Sequence, residues 1–227
     1  MGSRKVPLAD GENYHVFNRG VDKRAIFSDE YDLERFFMSM HLFNDKNPIG
    51  SVFEANFHDI DPNRQTLVDI LAYCLLPNHF HLILQQKTEG GISEYMKRLL
   101  GGYTWYFNNR NKRSGALFQG RYKSVHIETN EHLLYTSAYV LLNHRQMDDP
   151  NLAELGGPTA KLVRSGWWEY TGKENILPTE LVFQKSICTG TGIVLDQFKN
   201  KDEYAKFAFS VLETIKENKV KYAELEN

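Results

Sequence analysis

The sequence predicts an α+β domain built on an antiparallel sheet, and three observations support this class. The chain has 227 residues, of which 41% are apolar and 25% charged, as in an ordinary globular protein. Strand and helix patterns follow one another in the order β-α-β-β-α-β, and a further helix comes next. Two of the strands are adjacent and joined by a tight turn. This order is typical of the ferredoxin-like split βαβ fold, a four-stranded antiparallel sheet with helices on one face.

The N-terminal part of the chain predicts one strand, one helix and a long loop. Residues 14–20, YHVFNRG, alternate in the manner of a strand and end at a glycine, which is a turn signal. Residues 28–45 have apolar side chains at helical spacing, and Ser28 is a suitable N-cap ahead of acidic residues. The polar residues 46–66 predict a loop, with one short strand near 52–57.

The next segment predicts a β-hairpin. Residues 66–76, TLVDILAYCLL, indicate a buried strand, Pro77-Asn78 a tight turn, and residues 79–86, HFHLILQQ, the returning strand. The run of leucines also fits a buried helix, but the β-rich composition and the turn dipeptide favour the hairpin.

Two helices and one strand complete the predicted domain. Residues 90–111 have helical periodicity after a glycine pair, with Ser93 as the cap. Residues 122–128, YKSVHIE, alternate as the fourth strand, and residues 129–146 form a helix capped at position 129 or 130. We therefore place this domain at residues 1–150.

Residues 151–227 differ in character and are predicted to be an appended C-terminal extension. Glycines and prolines interrupt this region, and acidic residues return. Residues 202–219 have the pattern of an amphipathic helix. The extension is therefore expected to be partly helical and partly irregular.

The composition argues against several classes of protein. The longest apolar run, residues 67–76, is half of the roughly 20 residues that a membrane helix needs. The N-terminus has no hydrophobic signal core. Cys74 and Cys188 are far apart and form no CxxC motif. We therefore expect a cytoplasmic, nucleoid-associated protein with reduced thiols rather than a disulfide or a zinc finger.

Two histidines, His79 and His81, lie one residue apart in the second strand of the hairpin. Residues i and i+2 of a strand point to the same face, so both imidazoles can reach one ion, while Phe80 points to the opposite layer. A metal site is one interpretation of this pair. The other is that both rings are half-exposed and hydrogen-bond to backbone groups or solvent.

The last helix of the domain offers further polar groups on one face. Tyr135, Tyr139 and Asn143 are spaced i, i+4 and i+8, and the latter two lie opposite an apolar stripe. Such a face can line a cleft over the sheet, with a hydroxyl and a carboxamide available for chemistry. Alternatively, the tyrosines cover the helix surface with their hydroxyl groups in water.

The stretch from Tyr95 to Ile127 has no acidic residue and a charge of +7, so the rest of the chain carries −9 to give the net charge of −2. Aromatic residues alternate with its cations, a pattern typical of surfaces that neutralise phosphates and stack on unpaired bases. The alternative is a solvated loop beside an aromatic core. The candidate contacts to single-stranded nucleic acid are Lys97, Arg98, Tyr103, Trp105, Arg110, Lys112, Arg113, Arg121 and Lys123.

These segments together resemble the single-tyrosine HUH transposases, and in particular the REP-associated tyrosine transposase-like group. HUH denotes two histidines separated by a hydrophobic residue, as in His79-Phe80-His81. The resemblance covers residues 14–146, and a weaker similarity, SGWWEYTG, continues into the extension. The matching segments, in family order, are YHVFNRG, ILAYCLLPNHFHLIL, YTWYFNNR, GALFQGRYKS and LLYTSAYVLLNHR.

The resemblance implies a role for each matching residue. His79 and His81 correspond to the metal ligands, and Asn143 lies where the family has its third ligand. Tyr139 corresponds to the nucleophile of the Y-[IV]-x-x-N segment, whereas Tyr135 shares its face and is the second choice. One departure is visible: relatives have a proline after the asparagine, where this chain has a histidine. Without that proline the helix can extend by a turn, or the loop that follows can shift.

The implied activity is a transposase-like cutting and joining of single-stranded DNA that carries a hairpin. Mg²⁺ or Mn²⁺ would be the cofactor, a 5′-phosphotyrosine the intermediate, and Arg121 and Lys123 the preferred DNA contacts. We expect no membrane association, and a homodimer is one possible assembly. The alternatives are a metal-dependent nuclease in which water attacks, and a domesticated descendant that binds hairpin DNA without cutting it.

Overall fold

A computed structural model describes residues 8–47, 63–146, 162–172 and 186–218 of the chain. The strands are β1 (Asn13–Arg19), β2 (Val68–Leu76), β3 (His79–Gln86), β4 (Lys123–Ile127) and β5 (Arg164–Ser165). The helices are α1 (Glu30–Leu42), α2 (Gly91–Arg110), α3 (Asn130–Leu141), α4 (Trp167–Thr171), α5 (Gly192–Leu195) and α6 (Lys201–Glu217). Two short 3₁₀ turns cover Val21–Lys23 and Asn143–Gln146.

The five strands form one antiparallel sheet in the order β4-β1-β3-β2-β5. The first four strands have the order and connections of the split βαβ arrangement, so the predicted fold class is confirmed. The sheet has one strand more than predicted. The short strand β5 comes from the C-terminal extension and pairs with the edge of β2, where Cys74 lies opposite Ser165.

The helices lie on both faces of the sheet, whereas the sequence predicted one. Neighbouring residues of a strand point to opposite faces. The ring of Phe80 lies 5.4 Å from that of Phe36 in α1, but the ring of the next residue, His81, lies 5.8 Å from that of Tyr139 in α3. The helix pair α1 and α2 therefore covers one face and α3 the other. Residues 136–141 of α3 are all buried, so its sequence has no clear solvent face.

Helix boundaries differ from the prediction by a few residues, for local reasons. Asp29 caps α1, because its carboxylate accepts the Asp32 amide hydrogen; the predicted Ser28 cap is one residue early. Helix α2 begins at Gly91, ahead of Ser93. Thr129 caps α3, as predicted, by accepting from the His132 amide. The predicted strand near 52–57 lies outside the described residues.

The extension is attached to both the sheet and α3. The Ser165 hydroxyl donates to the Leu141 carbonyl at 2.7 Å, and the Tyr170 hydroxyl donates to the Leu71 carbonyl at 2.8 Å. The hydroxyls of Ser137 in α3 and Tyr204 in α6 are 2.9 Å apart. Helix α3 is therefore enclosed between the sheet and α6. None of the helices in the described ranges combines the length and apolar character that a bilayer crossing requires.

Candidate active site

The histidine pair lies on the face of the sheet that α3 covers. His79 and His81 project from the same side of β3, and their ring centroids are 5.2 Å apart with the ring planes nearly perpendicular. Their cross-strand neighbours in β1 are Arg19 and Phe17, respectively. Both histidines are buried. The alternative in which both imidazole rings are half-exposed is therefore wrong.

The ring nitrogens of this pair fit a bound cation. Nδ1 of His79 is 2.5 Å from the Asn78 side-chain oxygen, which can only accept, so the proton of a neutral ring is on Nδ1 and the lone pair is on Nε2. Nε2 of His81 is buried, and no described residue hydrogen-bonds to it. Within the described ranges no three His, Cys, Asp or Glu side chains form a metal-binding group. A site here thus needs a ligand of another type, such as an amide.

Tyr139 lies directly over the histidine layer. Its ring is edge-on to His81, with centroids 5.8 Å apart, and edge-on to His15 of β1, with centroids 6.0 Å apart. The side chain is only 2% exposed. Tyr135, one turn earlier in α3, is half-buried and packs at the margin of the core. The structure thus brings the first-choice tyrosine, Tyr139, into ring contact with His81 and His15.

Asn143 begins the 3₁₀ turn that follows α3, and its side chain is buried. The turn packs against β2, where burial raises the pKa of the Cys74 thiol and the backbone of His144 lies close enough to lower it by a smaller amount. Cys74 is the register partner of His81, and directly opposed residues of an antiparallel pair share a face. The turn that carries Asn143 therefore contacts the strand position beside His81.

A third histidine, His15, belongs to the same layer and was not among the predicted site residues. Its Nε2 is 2.9 Å from Nδ1 of His81. Burial, and next the nearby His132, lower the pKa of His15 to about 3. Burial, and then the charges of His15, His79 and Arg19, hold the pKa of His81 well below its ordinary value. Both rings are therefore neutral at pH 7, and each has one nitrogen lone pair.

A cationic pocket of about 190 Å³ opens beside the histidines. Arg19 and Lys123 supply its positive charge, and Gln119 adds an amide. Lys123 was predicted as a nucleic-acid contact, whereas Arg19 was missed because it lies outside the basic window. The sequence did contain a signal for Arg19, because it comes two residues after Phe17 and four residues after His15 in YHVFNRG. At these spacings the three side chains share one face of β1. The pocket residues are Phe17, Asn18, Arg19, His79, His81, Gln119 and Lys123.

Three of the matching segments meet at this end of the sheet. The Gly20 amide after β1 donates to the Asn78 carbonyl in the β2–β3 turn at 2.8 Å. The Gln119 amide donates to the Arg19 carbonyl at 2.8 Å, and Gly20 forms a β-bridge with Phe118. A Cβ atom at Gly20 would lie 2.2 Å from the Arg24 carbonyl oxygen, so no larger residue fits there. These contacts explain why YHVFNRG, PNHFH and GALFQGRYK form one structural unit.

The other candidates for nucleic-acid contact divide into two groups. Some are engaged within the fold: Arg98 with Glu94 and the Asp45 carbonyl, Arg110 with Asp29 and Asp32, and Arg113 with Asn108 and the Ala116 carbonyl. Tyr103 is fully buried, and its hydroxyl donates to the Ile26 carbonyl, so it belongs to the core and has no face for a base. The remaining candidates are exposed: Lys97, beside Glu94, Trp105 at 60% exposure, Lys112 and Arg121.

Comparison with known proteins identifies the class. A family model described as Transposase IS200 like matches residues 12–143, which is more than half of the chain and includes both histidines, Tyr139 and Asn143. The chain therefore belongs to this transposase family, and the resemblance seen in the sequence is confirmed.

Two further comparisons add little to this assignment. No curated protein matches the chain. One solved structure that matches is described as the structure of a REP-associated tyrosine transposase bound to a REP hairpin. It is 14% identical, covers 64% of this chain and 74% of the other, and superposes with a TM-score of 0.43. At that level of similarity the match does not bear on what this chain binds.

Proposed function

We propose that this transposase-family protein cuts and rejoins single-stranded DNA beside a hairpin, with Tyr139 as the nucleophile. The observation that carries the proposal is the position of the Tyr139 ring, edge-on to His81, which itself lines the cationic pocket. This arrangement supports the proposal, because a tyrosine hydroxyl, two imidazoles and two cations on one face of the sheet are the groups that such a reaction would use. Membership of the transposase family supports DNA as the substrate.

Arg19 and Lys123 would hold the scissile phosphate. They line the pocket from β1, which pairs with β3, and from β4, which pairs with β1, so both charges are fixed on sheet positions rather than on loops. Arg19 lies directly opposite His79 in the β1–β3 ladder. A guanidinium and an ammonium placed in advance can neutralise the charge that builds up on the phosphate oxygens.

The chemical step transfers the phosphoryl group between two oxygens. The Tyr139 phenol loses its proton, and its oxygen bonds to phosphorus while the bond from phosphorus to the 3′ oxygen breaks. The 3′ oxygen takes up a proton and leaves as a free 3′-OH, and the 5′ end stays on the tyrosine. Attack of a 3′-OH on the phosphotyrosine reverses the step, because phenolate is a good leaving group. This reversibility suits strand joining.

His79, His81 and Asn143 would hold a divalent cation, for which Mg²⁺ or Mn²⁺ fits the set of two imidazoles and one carboxamide. When bound, the ion would polarise the scissile phosphate and offset its charge in the transition state. Both histidines are suited to this role, because the Nδ1 contact of each leaves Nε2 as the candidate ligand atom.

The hairpin would be held on the exposed part of the basic window. Lys97, Trp105, Lys112 and Arg121 are the exposed candidates, and they combine positive charge with one ring that can stack. The cations Arg98, Arg110 and Arg113 are engaged in contacts inside the fold and are left out of the proposed surface.

The decisive experiment is formation of a covalent adduct with labelled hairpin-bearing single-stranded DNA in Mg²⁺ or Mn²⁺. Wild-type protein is expected to form an adduct that survives denaturing gel electrophoresis. Tyr139→Phe is expected to form none, and Tyr135→Phe, the matched control on the same helix, is expected to form it at the wild-type rate. An adduct with Tyr139→Phe would show that the nucleophile is another residue.

The two alternative functions give different results in the same assay. A nuclease that uses water would cut the DNA without ever retaining label on the protein. A domesticated binder would shift the hairpin in a native gel but would neither cut it nor become labelled. If wild-type protein neither binds nor cuts such DNA, the proposed function is wrong.

The pocket can be tested separately by Arg19→Gln. Loss of one positioned cation is expected to slow adduct formation by about 10²-fold. Arg24→Gln is the matched control, because Arg24 is close in sequence but pairs with Asp22 away from the pocket. Equal rates for the two variants would remove Arg19 from the proposed site.

A further inference from the structure

The contact between His15 and His81 connects β1 to the proposed ligand pair. His15 lies diagonally across the β1–β3 ladder from His81, since Phe17 is the direct partner of His81. The two imidazole rings are nearly parallel, with an interplanar angle of 18° and centroids 5.1 Å apart. Phe17 stacks on both rings, at 5.0 Å from His15 and 5.7 Å from His81. The ring orientations are thus set by packing on rigid strands.

A single proton lies between the two histidines, and its position decides which nitrogen of His81 can bind a cation. Nε2 of His15 and Nδ1 of His81 are 2.9 Å apart, so one donates and the other accepts. If His15 donates, the proton of the neutral His81 ring must be on Nε2. That nitrogen then has no lone pair for a cation. If His81 donates from Nδ1, the lone pair is on Nε2.

The burial of the remaining nitrogens favours the second arrangement once a cation is bound. Nε2 of His81 and Nδ1 of His15 are both buried, and neither has a hydrogen-bond partner among the described residues. When His15 donates, both atoms stay unsatisfied. When His81 donates, a cation at Nε2 satisfies one of them. Each unsatisfied buried polar atom costs free energy, so the second arrangement is preferred.

We propose that His15 is a positioning residue, which accepts the Nδ1–H of His81 and thereby presents Nε2 of His81 to the cation. The inference rests on the proposed function, because it assumes the ion between His79 and His81. Asn78 has a comparable role for His79, because its side-chain oxygen lies 2.5 Å from Nδ1 of His79. His15 would have this role for His81. Partners of this kind fix the ring orientation of ligating histidines in metal sites.

The tautomer can be measured on the full-length wild-type protein in the presence of Mg²⁺, the condition in which the second arrangement is preferred. Nitrogen-15 NMR of the imidazole rings distinguishes a protonated from an unprotonated ring nitrogen. The expected result is a protonated Nδ1 and an unprotonated Nε2 for His81. A proton on Nε2 would overturn the proposal, and this measurement needs no variant and no activity.

Binding of Mn²⁺, measured by calorimetry, tests the consequence. His15→Gln keeps an acceptor, its amide oxygen, and is expected to bind Mn²⁺ within a few-fold of wild type. His15→Leu has no acceptor and is expected to bind it roughly 10- to 100-fold more weakly. The matched control is His126→Gln, because His126 lies in β4 on the opposite face and contacts Glu12.

The outcomes separate this inference from the proposed function. If wild-type protein forms the DNA adduct and binds Mn²⁺ but His15→Leu binds it equally well, the role of His15 is wrong while the function stands. Equal weakening by His15→Gln and His15→Leu would indicate a packing role and also overturn the inference. If wild-type protein binds no Mn²⁺, the metal part of the proposed function fails, and the role of His15 fails with it.

Discussion

Phe80 and His81 are neighbours in β3, but they belong to two different environments. Phe80 points into the layer under α1 and α2, where its ring packs against Phe36 and Phe118. Two buried tyrosine hydroxyls in this layer have partners: those of Tyr95 and Tyr103 each donate to a backbone carbonyl. This face is a conventional core.

The opposite face, under α3, contains buried polar groups whose hydrogen bonding is incomplete. His81 and His15 share one hydrogen bond, and each retains a buried nitrogen without a partner among the described residues. Each such atom costs roughly 1–3 kcal/mol of stability. The comparison shows that the first face is packed mainly by aromatic and apolar side chains, while the second also holds polar groups that are costly to bury and suited to chemistry.

The largest expected effect concerns the face under α3, which contains His15, His81 and Tyr139 and is called the chemical face below. His81→Leu should reduce adduct formation by about 10³-fold, because it removes a proposed ligand. The unfolding free energy should change by less than about 2 kcal/mol, since the lost hydrogen bond is partly offset by better apolar packing. Adduct gels and urea unfolding measure the two quantities. A large loss of stability with little loss of rate would contradict the division between the faces.

The next effect concerns the opposite face, under α1 and α2, which is called the packed face below. Phe80→Ala should destabilise the protein by roughly 3–5 kcal/mol, the usual cost of removing a buried aromatic ring. Urea unfolding measures the loss, and adduct formation per folded molecule should stay within a few-fold of wild type. Trp105→Ala is the control: its side chain is 60% exposed, so stability should change by less than about 0.5 kcal/mol.

A smaller loss of stability is expected at the edge of the packed face. Arg110 bonds Asp29 and Asp32, and the Asp32 side chain is fully buried. Arg110→Gln should cost about 2 kcal/mol, because it leaves a buried carboxylate without its cation, although water reaches the guanidinium and weakens the pair. Lys112→Gln, the exposed neighbour, should have almost no effect on stability.

The effect of Arg110 should also depend on pH. The hydrogen bond from Arg110 holds the pKa of Asp29 below its ordinary value of 3.8. A carboxyl group whose pKa is lowered by folding contributes stability above its unfolded pKa, and this contribution is lost as the pH falls through the folded value. The difference in unfolding free energy between wild type and Arg110→Gln should therefore be full at neutral pH and shrink below about pH 4. A constant difference would exclude the ion pair as its source.

The smallest effect is expected from thiol chemistry. Burial raises the pKa of Cys74 to about 12 and raises that of Cys188 well above its usual value. Neither thiol should react with Ellman's reagent at about pH 8 until the protein is unfolded, because the thiolate is the reactive form. Cys74 lies beside His81 in the ladder, so its rapid reaction in folded protein would show that the chemical face opens to solvent.

Local patterns in the sequence were sufficient for most of the elements. Residues 79–86 were predicted as a strand and are β3, and Thr129 was predicted as a cap and is one. Period-two alternation and side-chain capping act between residues close in the chain, so they are visible in the sequence. The two-residue strand β5 has no such pattern and forms because an edge of β2 is available.

The candidate site was predictable in part for the same reason. That His79 and His81 share a face follows from their spacing in a strand, and the family resemblance selected Tyr139 and Asn143. The choice of the face that α3 covers could not be predicted, because both sides of α3 are buried, one against the sheet and the other against α6. His15 and Arg19 were missed, since their relation to His81 and His79 depends on the register between β1 and β3.

The sequence by itself therefore determined most of the strands and helices, the family, and the pairing of two histidines on one face. Tertiary structure decided what those histidines contact: Tyr139 from across a layer, His15 from the neighbouring strand, and a pocket with Arg19 and Lys123. The physical reason is the range of the interactions. Periodicity and capping act over a few residues, whereas strand register and helix packing join residues far apart in the chain, as they do His15 and His81, which are 66 positions apart.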